Sequence, residues 1–413
     1  MTSIDTSSLP AATATGAPAG PLAGVRVLDL SRVLAGPWAT QTLADLGAEV
    51  IKIERPGVGD DTRQWGPPFV RRADGGRGDA AYFMAANRGK ASVELDIATP
   101  DGAETVRRLA ATSDVLVENF KTGGLKKYGL DYAALAAINP RLVYCSITGF
   151  GQDGPDAARP GYDYMIQAMG GLMSITGQAD GSPGAGPMRA GVAVIDLFTG
   201  MTAANAILAA LLHARATGEG QHIDTALFDV AASVLANQAA NWFVSGEAPG
   251  RTGNSHPNLA PYQPFPCTDG SVVVAVGNDG QYRALCAALG APALGEDPRF
   301  AVNAARLAHR EDLTETLAAL TARFSMRGLM AALEAAGVPC GPVNAIDQVF
   351  AEPQARHRGL TVSQPRDDLS APIRTVASPI RLSATPVAYD RPPPRLGQHT
   401  AEVLAALDAR SDD

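Results

Sequence analysis

Histidine and cysteine are scarce in this chain, and neither is placed to hold a metal. The 413 residues include six histidines and four cysteines. Cys145, Cys267, Cys286 and Cys340 are scattered and form no CxxC pair, which excludes a zinc ribbon or a disulfide framework. They read as small apolar residues of a reducing compartment. The histidines, at 213, 222, 256, 309, 357 and 399, are isolated, and no H-E-x-x-H occurs, so no metal site is expected. The phosphate-cradling G-x-x-x-x-G-K-[ST] is missing, as is the G-x-S-x-G nucleophile elbow. The first βα turn, DLSRVLAGPWAT, has only Gly36 where a dinucleotide fingerprint has three glycines. A nicotinamide dehydrogenase would rest on Glu54 alone, standing where a ribose-binding acid would. Positive charge is not in excess: 34 basic residues face 42 acidic ones, a net charge of −8. That balance leaves no footprint for nucleic acid. No uninterrupted apolar run reaches ~18 residues, and the best, around 203–213, is too short to cross a membrane. The opening MTSIDTSSLPAATATGAPAGPLAG lacks the basic and apolar regions of a secretory signal. Residues 1–20 read as a disordered tail, and the protein as cytoplasmic.

What is present is a long chain, 46% hydrophobic, enough for two or three domains. VRVLDL (25–30), a helical LAGPWATQTLADLG and EVIKIE (49–54) form a compact βαβ unit. The alternation continues with a helix at 101–112, a strand at 114–120, a helix at 131–138 and a strand at 141–147. This predicts an α/β fold with a Rossmann-like parallel sheet. LFTGMTAANAILAALLHARA (197–216) reads as a long buried helix ended at Gly218-Glu219-Gly220, and 222–245 as a second long helical segment. The proline-rich 247–266 marks a boundary. After it, a strand at 271–277 and three helical patterns predict a small α/β domain over 247–345.

Two features carry chemistry. Basic residues gather near the expected carboxyl ends of strands: Arg55, then Asn87-Arg88-Gly89-Lys90, then Lys121, Lys126 and Lys127. Ligands bind there in α/β sheets, and cations suit a phosphorylated one; a solvated basic surface is the alternative. The second feature is Asp196, the lone charge in GVAVIDLFTGM at the start of the long helix. One reading is an N-cap, worth ~1 kcal/mol. The other keeps the same geometry: the helix N-terminus holds the carboxylate ionised while apolar neighbours strip its water, leaving a nucleophile for an activated acyl group.

The segments GVRVLDLSRVLAGPWATQTLADLGAEVIKIERPGVGDDTR, NRGKASVELD, DVLVENFKTGGLKKYGL, INPRLVYCSITGFGQDGP, RPGYDYMIQAMGGLMSITG and GQHIDTALFDV together resemble the class III CoA-transferase family. The resemblance covers about 22–405. It implies that Asp196 is the nucleophile. It implies a CoA site at Val33, Leu34, Ala35, Arg55, Ala86, Asn87, Arg88, Lys90, Asn119, Phe120 and Lys127. It also implies a ring-shaped chain in an interlocked homodimer. The large CoA-binding domain then takes 21–225 plus 346–413, with 226–246 as a linker helix. Tyr162, Gly253, Asn254 and His256 are the candidates to meet substrate. The chain departs from formyl-CoA transferases in lacking a glycine run in RTGNSHPNLAPYQPFP and in having Thr148 where some carry a lysine. Racemases of this fold pair a histidine with the aspartate; Tyr162 stands there instead, and a phenol is a weak substitute.

The expected activity is transfer of CoA from an acyl-CoA, succinyl-CoA being a candidate, to a carboxylic acid. It would pass through an aspartyl anhydride and an aspartyl-CoA thioester. No permanently bound cofactor is expected, CoA being part of the substrate. An acyl-CoA racemase or isomerase, or a non-catalytic acyl-CoA binding protein, remains as an alternative.

Overall fold

The computed structural model describes residues 20–409; apart from Gly20, the expected disordered tail lies outside them. The chain divides into two compact units. The first takes residues up to Met169, Gly191–Val234 and Arg358 onward; the second takes Gly170–Ala190 and Leu235–His357. The segment 170–190 thus leaves the unit it was expected to join. Residues 346–357 go to the second unit as well.

In the part of the first unit up to Val234 the strands are β1 (Arg26–Asp29), β2 (Glu49–Glu54), β3 (Phe69–Arg71), β4 (Arg77–Ala80), β5 (Lys90–Glu94), β6 (Val115–Glu118), β7 (Val143–Thr148) and β8 (His222–Ala226). Six of them form one parallel sheet in the order β5-β2-β1-β6-β7-β8. This is the doubly wound order, third-second-first-fourth-fifth-sixth, which reverses between β1 and β6. The central strands are β-branched and apolar because helices cover both faces. Leu28, Ile51, Val93 and Leu116 of the sheet pack with Val106 and Leu109 of the helix Pro100–Ala111. Each such side chain contributes roughly 1.5–3 kcal/mol by leaving water.

One expected element is wrong. Residues 222–245 are not one helix: β8 pairs in parallel with β7, and the helices Leu227–Val234 and Ala236–Ser245 follow. Helical spacing in the later residues hid a five-residue edge strand. The expected linker helix at 226–246 is thereby split between the two units.

The long helix runs Val194–Thr217 and ends at Gly218, whose φ of +80° suits glycine. The helix has 24 residues, and an 18-residue stretch of it has a mean hydropathy of 1.6, long and apolar enough by composition to cross a membrane. The sequence reading underestimated that length. Ile195, Thr199, Gly200, Ala203, Ala204 and Ile207 are buried along one side. Gly200 sets the approach to the helix Ala35–Asp45: a Cβ there would lie 2.6 Å from the Ala35 carbonyl oxygen and 3.0 Å from the Trp38 Cβ.

The second unit is built on an antiparallel sheet of β9 (Tyr262–Cys267), β10 (Gly270–Ala275) and β11 (Cys340–Pro342), in the order β11-β10-β9. Phe265, Val272 and Val274 pack with Tyr282, Leu285, Leu313, Leu329 and Leu333 from its helices.

Candidate active site

Two cavities open at the carboxyl ends of the first unit's sheet, where the strand order reverses. The first, about 200 Å³, is lined by Arg32, Val33, Leu34 and Ala35 after β1. Asn119–Thr122 follow β6, and Ile147–Gly149, Ala157 and Arg159–Tyr162 belong to β7 and the segment after it; Asp61, Asp196 and Leu227 complete it. The second, about 660 Å³, shares Arg32, Phe120 and Lys121 and adds Arg55 and Lys127. A crevice at the switch point is where a doubly wound sheet binds its ligand.

Asp196 is the third residue of its helix, not the N-cap. The residue in that position is Ala193, whose side chain cannot cap. The acceptor comes from 33 residues away. Asp163 Oδ2 takes the N–H groups of Ile195 at 2.8 Å and Asp196 at 3.1 Å, and its Oδ1 accepts from Gln167 Nε2 at 2.5 Å. Asp163 therefore fills the capping role expected of Asp196. The Asp196 carboxylate is half-buried. No hydrogen bond or ion pair holds it among the described residues. Burial and the adjacent Asp163 charge push its carboxyl up to about 7. The helix terminus does not offset this, because two of its free N–H groups already point at Asp163.

Val33 has φ +72°, a left-handed backbone that strains a β-branched residue. Its N–H lies 3.3 Å from both oxygens of Asp60, which is itself paired with Lys52 Nζ at 3.0 Å, both fully buried. Burial would raise the Asp60 carboxyl, but the Lys52 charge and the hydrogen bonds from Thr62 together outweigh it and the shift is downward. Asn119 grips the preceding residue at both ends: its Oδ1 accepts from Arg32 N at 2.9 Å and its Nδ2 donates to Arg32 O at 2.7 Å. Glu118 accepts from the Phe120 N–H at 2.7 Å. The loops after β1 and β6 are thus locked together beside Asp196.

The expected site residues divide into three groups. Val33, Leu34, Ala35, Asn119, Phe120 and Tyr162 line the Asp196 cavity; Arg55 and Lys127 line the second, with Phe120 common to both. Ala86, Asn87, Arg88 and Lys90 do not face either cavity; all four are buried. Arg88 forms a two-pronged ion pair with Asp45 at 2.8 and 2.6 Å. Lys90 Nζ meets Asp29 at 3.1 Å, the Pro37 carbonyl and the Asn87 amide oxygen. Their charge is spent on buried partners, which is why a basic run in the sequence gave a misleading signal. Gly253, Asn254 and His256 belong to the second unit. There the His256 ring packs on Tyr262 with centroids 5.1 Å apart, and its Nδ1 accepts from the Asn258 N–H.

Three residues went unnoticed in the sequence. Asp163 sits beside Tyr162 and is legible only as a polar residue before a helix. Asp60 carries no local motif. Tyr82, on the helix Ala81–Ala85, has its phenol raised by burial and by the charges of Asp196 and Asp163, so it stands close to the nucleophile candidate.

Known proteins resemble the chain over almost its whole length. Residues 22–400 match CoA-transferase family III. The chain is 54% identical to the succinate–glutarate CoA-transferase of Agrobacterium fabrum, over 94% of this chain and 96% of that one. It is 42% identical to the succinyl-CoA:glutarate CoA-transferase of Homo sapiens, over 95% of this chain and 87% of that one. The crystal structure of a CAIB/BAIF family protein from Brucella suis superposes with a TM-score of 0.84 at 50% identity, covering 95% of this chain and all of that one. The chain belongs to CoA-transferase family III, an enzyme that moves CoA from an acyl-CoA to a carboxylic acid.

Proposed function

We propose that the protein exchanges CoA between succinyl-CoA and a short dicarboxylic acid such as glutarate, with Asp196 as nucleophile. The observation that carries the reading is the single unpaired carboxylate facing the cavity, combined with the activities for which the relatives are named. The Asp196 carboxylate attacks the thioester carbonyl and expels CoA thiolate, giving a mixed anhydride. The thiolate attacks the aspartyl carbonyl, which releases the donor acid and leaves CoA as a thioester on Asp196. The acceptor carboxylate attacks that thioester, again freeing thiolate. The thiolate then takes the acceptor acyl group and restores the carboxylate. Each step exchanges one activated acyl bond for another, so the chemistry needs neither ATP nor metal.

CoA enters as part of the substrate, its phosphates toward Arg55 and Lys127 and its thiol end toward Val33, Leu34 and Ala35. Gly253 and Asn254 are candidates to stabilise oxyanions through backbone N–H groups. The chain works as an interlocked homodimer, a reading supported by family membership and by Trp242, Phe243 and Val244, exposed at 48%, 75% and 90%. The free state of all four cysteines is consistent with the cytoplasm.

Incubating the protein with succinyl-CoA and trapping with hydroxylamine should modify the peptide that contains Asp196. Asp196→Ala should lose transfer and keep CoA binding. Label on any other peptide, or full activity in that variant, refutes the assignment.

A further inference from the structure

Three cations, Arg32, Lys121 and Arg159, line the cavity that contains Asp196. Arg32 and Lys121 also line the neighbouring cavity with Arg55 and Lys127, so they lie toward the phosphate-binding side. Arg159 lines the Asp196 cavity alone. It precedes Tyr162 by three residues, on the segment that leads from β7 to Asp163.

Its guanidinium is held from several directions. Nη1 lies 3.0 Å from Asp156 Oδ1, and Nη2 lies 3.6 Å from Met169 Sδ. The guanidinium carbon sits 4.9 Å from the centre of the Phe150 ring, which in turn leans on Phe228 at 5.7 Å. The Asp156 pair joins side chains that are 45% and 43% exposed; a pair that open to water is weak, so it orients Arg159 without consuming its charge. The cavity also contains two carboxylates, Asp61 and Asp196. A dianion entering it would be repelled without a fixed cation away from the reacting end.

We propose that Arg159 is the specificity-determining residue that reads the distal carboxylate of the dicarboxylic acyl chain and acceptor, while the proximal carboxyl reacts at Asp196. The inference rests on the dicarboxylate reading above. A guanidinium suits this task because its planar fork matches a carboxylate with two parallel hydrogen bonds. It would act on donor and acceptor alike, since both halves of the reaction pass through one cavity.

The test compares full-length wild type, Arg159→Gln and Arg159→Lys. Initial rates are measured with succinyl-CoA plus glutarate and with butyryl-CoA plus valerate, acceptors of equal length that differ in the distal charge. In Arg159→Gln the ratio of kcat/KM for glutarate to that for valerate should fall about 10- to 100-fold, the range expected for one hydrogen bond to a charged group. The fall should sit mainly in KM. Arg159→Lys keeps the charge and should retain most of the preference, and thermal melting verifies folding of both. If wild type prefers dicarboxylates and Arg159→Gln keeps that preference within about twofold, the role of Arg159 is overturned while the dicarboxylate reading stands. If wild type shows no such preference, both are overturned.

Discussion

Replacing Asp196 by asparagine should make the protein more stable at alkaline pH, by an amount that shrinks as the pH falls. The folded carboxyl titrates near 7, against an ordinary value of 3.8. A group that holds its proton more tightly when folded favours folding less as the pH rises from its unfolded to its folded value. The penalty therefore develops between about pH 4 and pH 7 and is complete above that. Three units at about 1.4 kcal/mol each set a ceiling of about 4 kcal/mol. Asp196 is half-buried, so solvent screening reduces this, and about 2 kcal/mol is expected. Asparagine has the same shape and no charge to desolvate, so it escapes the penalty. Urea unfolding followed by tryptophan fluorescence reports on the right unit through Trp38 and Trp65, with Trp242, in the other unit, replaced by Phe in both proteins. The advantage of Asp196→Asn over wild type should grow by about 1–2 kcal/mol between pH 5 and pH 8.5, while transfer activity is lost. An advantage that is flat with pH, or that shrinks in alkali, would refute the account of an ionised carboxylate kept short of water.

Two further substitutions probe what holds that carboxylate. Asp163→Asn keeps an acceptor for the Ile195 and Asp196 N–H groups but removes the neighbouring negative charge. The acidic limb of kcat/KM against pH should move to lower pH, by about one unit, because the ionised form of Asp196 is no longer repelled. An unmoved limb would show that burial alone sets the shift. Gly200→Ala places a methyl 2.6 Å from the Ala35 carbonyl oxygen. Backbone cannot yield there, so the helix must shift, at a loss of about 1–3 kcal/mol. Since residue 200 lies one turn beyond Asp196 on the same helix, single-turnover transfer should slow along with a drop in melting temperature. A variant equal to wild type in both would mean that the two helices separate freely.

The alternation of β-branched runs with helical spacing made the parallel sheet legible, because a strand covered on both faces can hold little but apolar residues. EVIKIE reads directly as β2 for that reason, even with Lys52 inside it. HIDTA did not read as β8, since it is short, polar at one end and followed at once by helical spacing. Burial of charge was the hardest feature to see. Lys52, Lys90 and Arg88 look like surface cations in the sequence, yet each is paired within the core with an acid distant in the chain. The partners, Asp60, Asp29 and Asp45, are 8, 61 and 43 residues away, so no local pattern could assign them. Asp196 was legible as a lone charge in an apolar stretch. Its cap was not, because the capping carboxylate is 33 residues away.

That distance explains how the site reconciles two opposed demands. A nucleophilic carboxylate must be ionised to attack and short of water to attack fast. A helix N-terminus normally solves the first demand by lending its free N–H groups, but groups bonded to the nucleophile would blunt it. Here Asp163 takes two of those N–H groups, leaving Asp196 to ride on the first helical turn without bonding to it. The helix start stays satisfied, and burial, reinforced by the charge of the second acid, raises the pKa of the proposed nucleophile to about 7, where ionisation is still accessible and the anion is poorly stabilised. A carboxylate in that state has little to lose on forming an ester-like bond, since the charge that was costly to hold leaves with the thiolate. In the proposed mechanism, capping by a remote acid, and not by the reactive residue itself, is what makes one and the same helix end both stable and reactive.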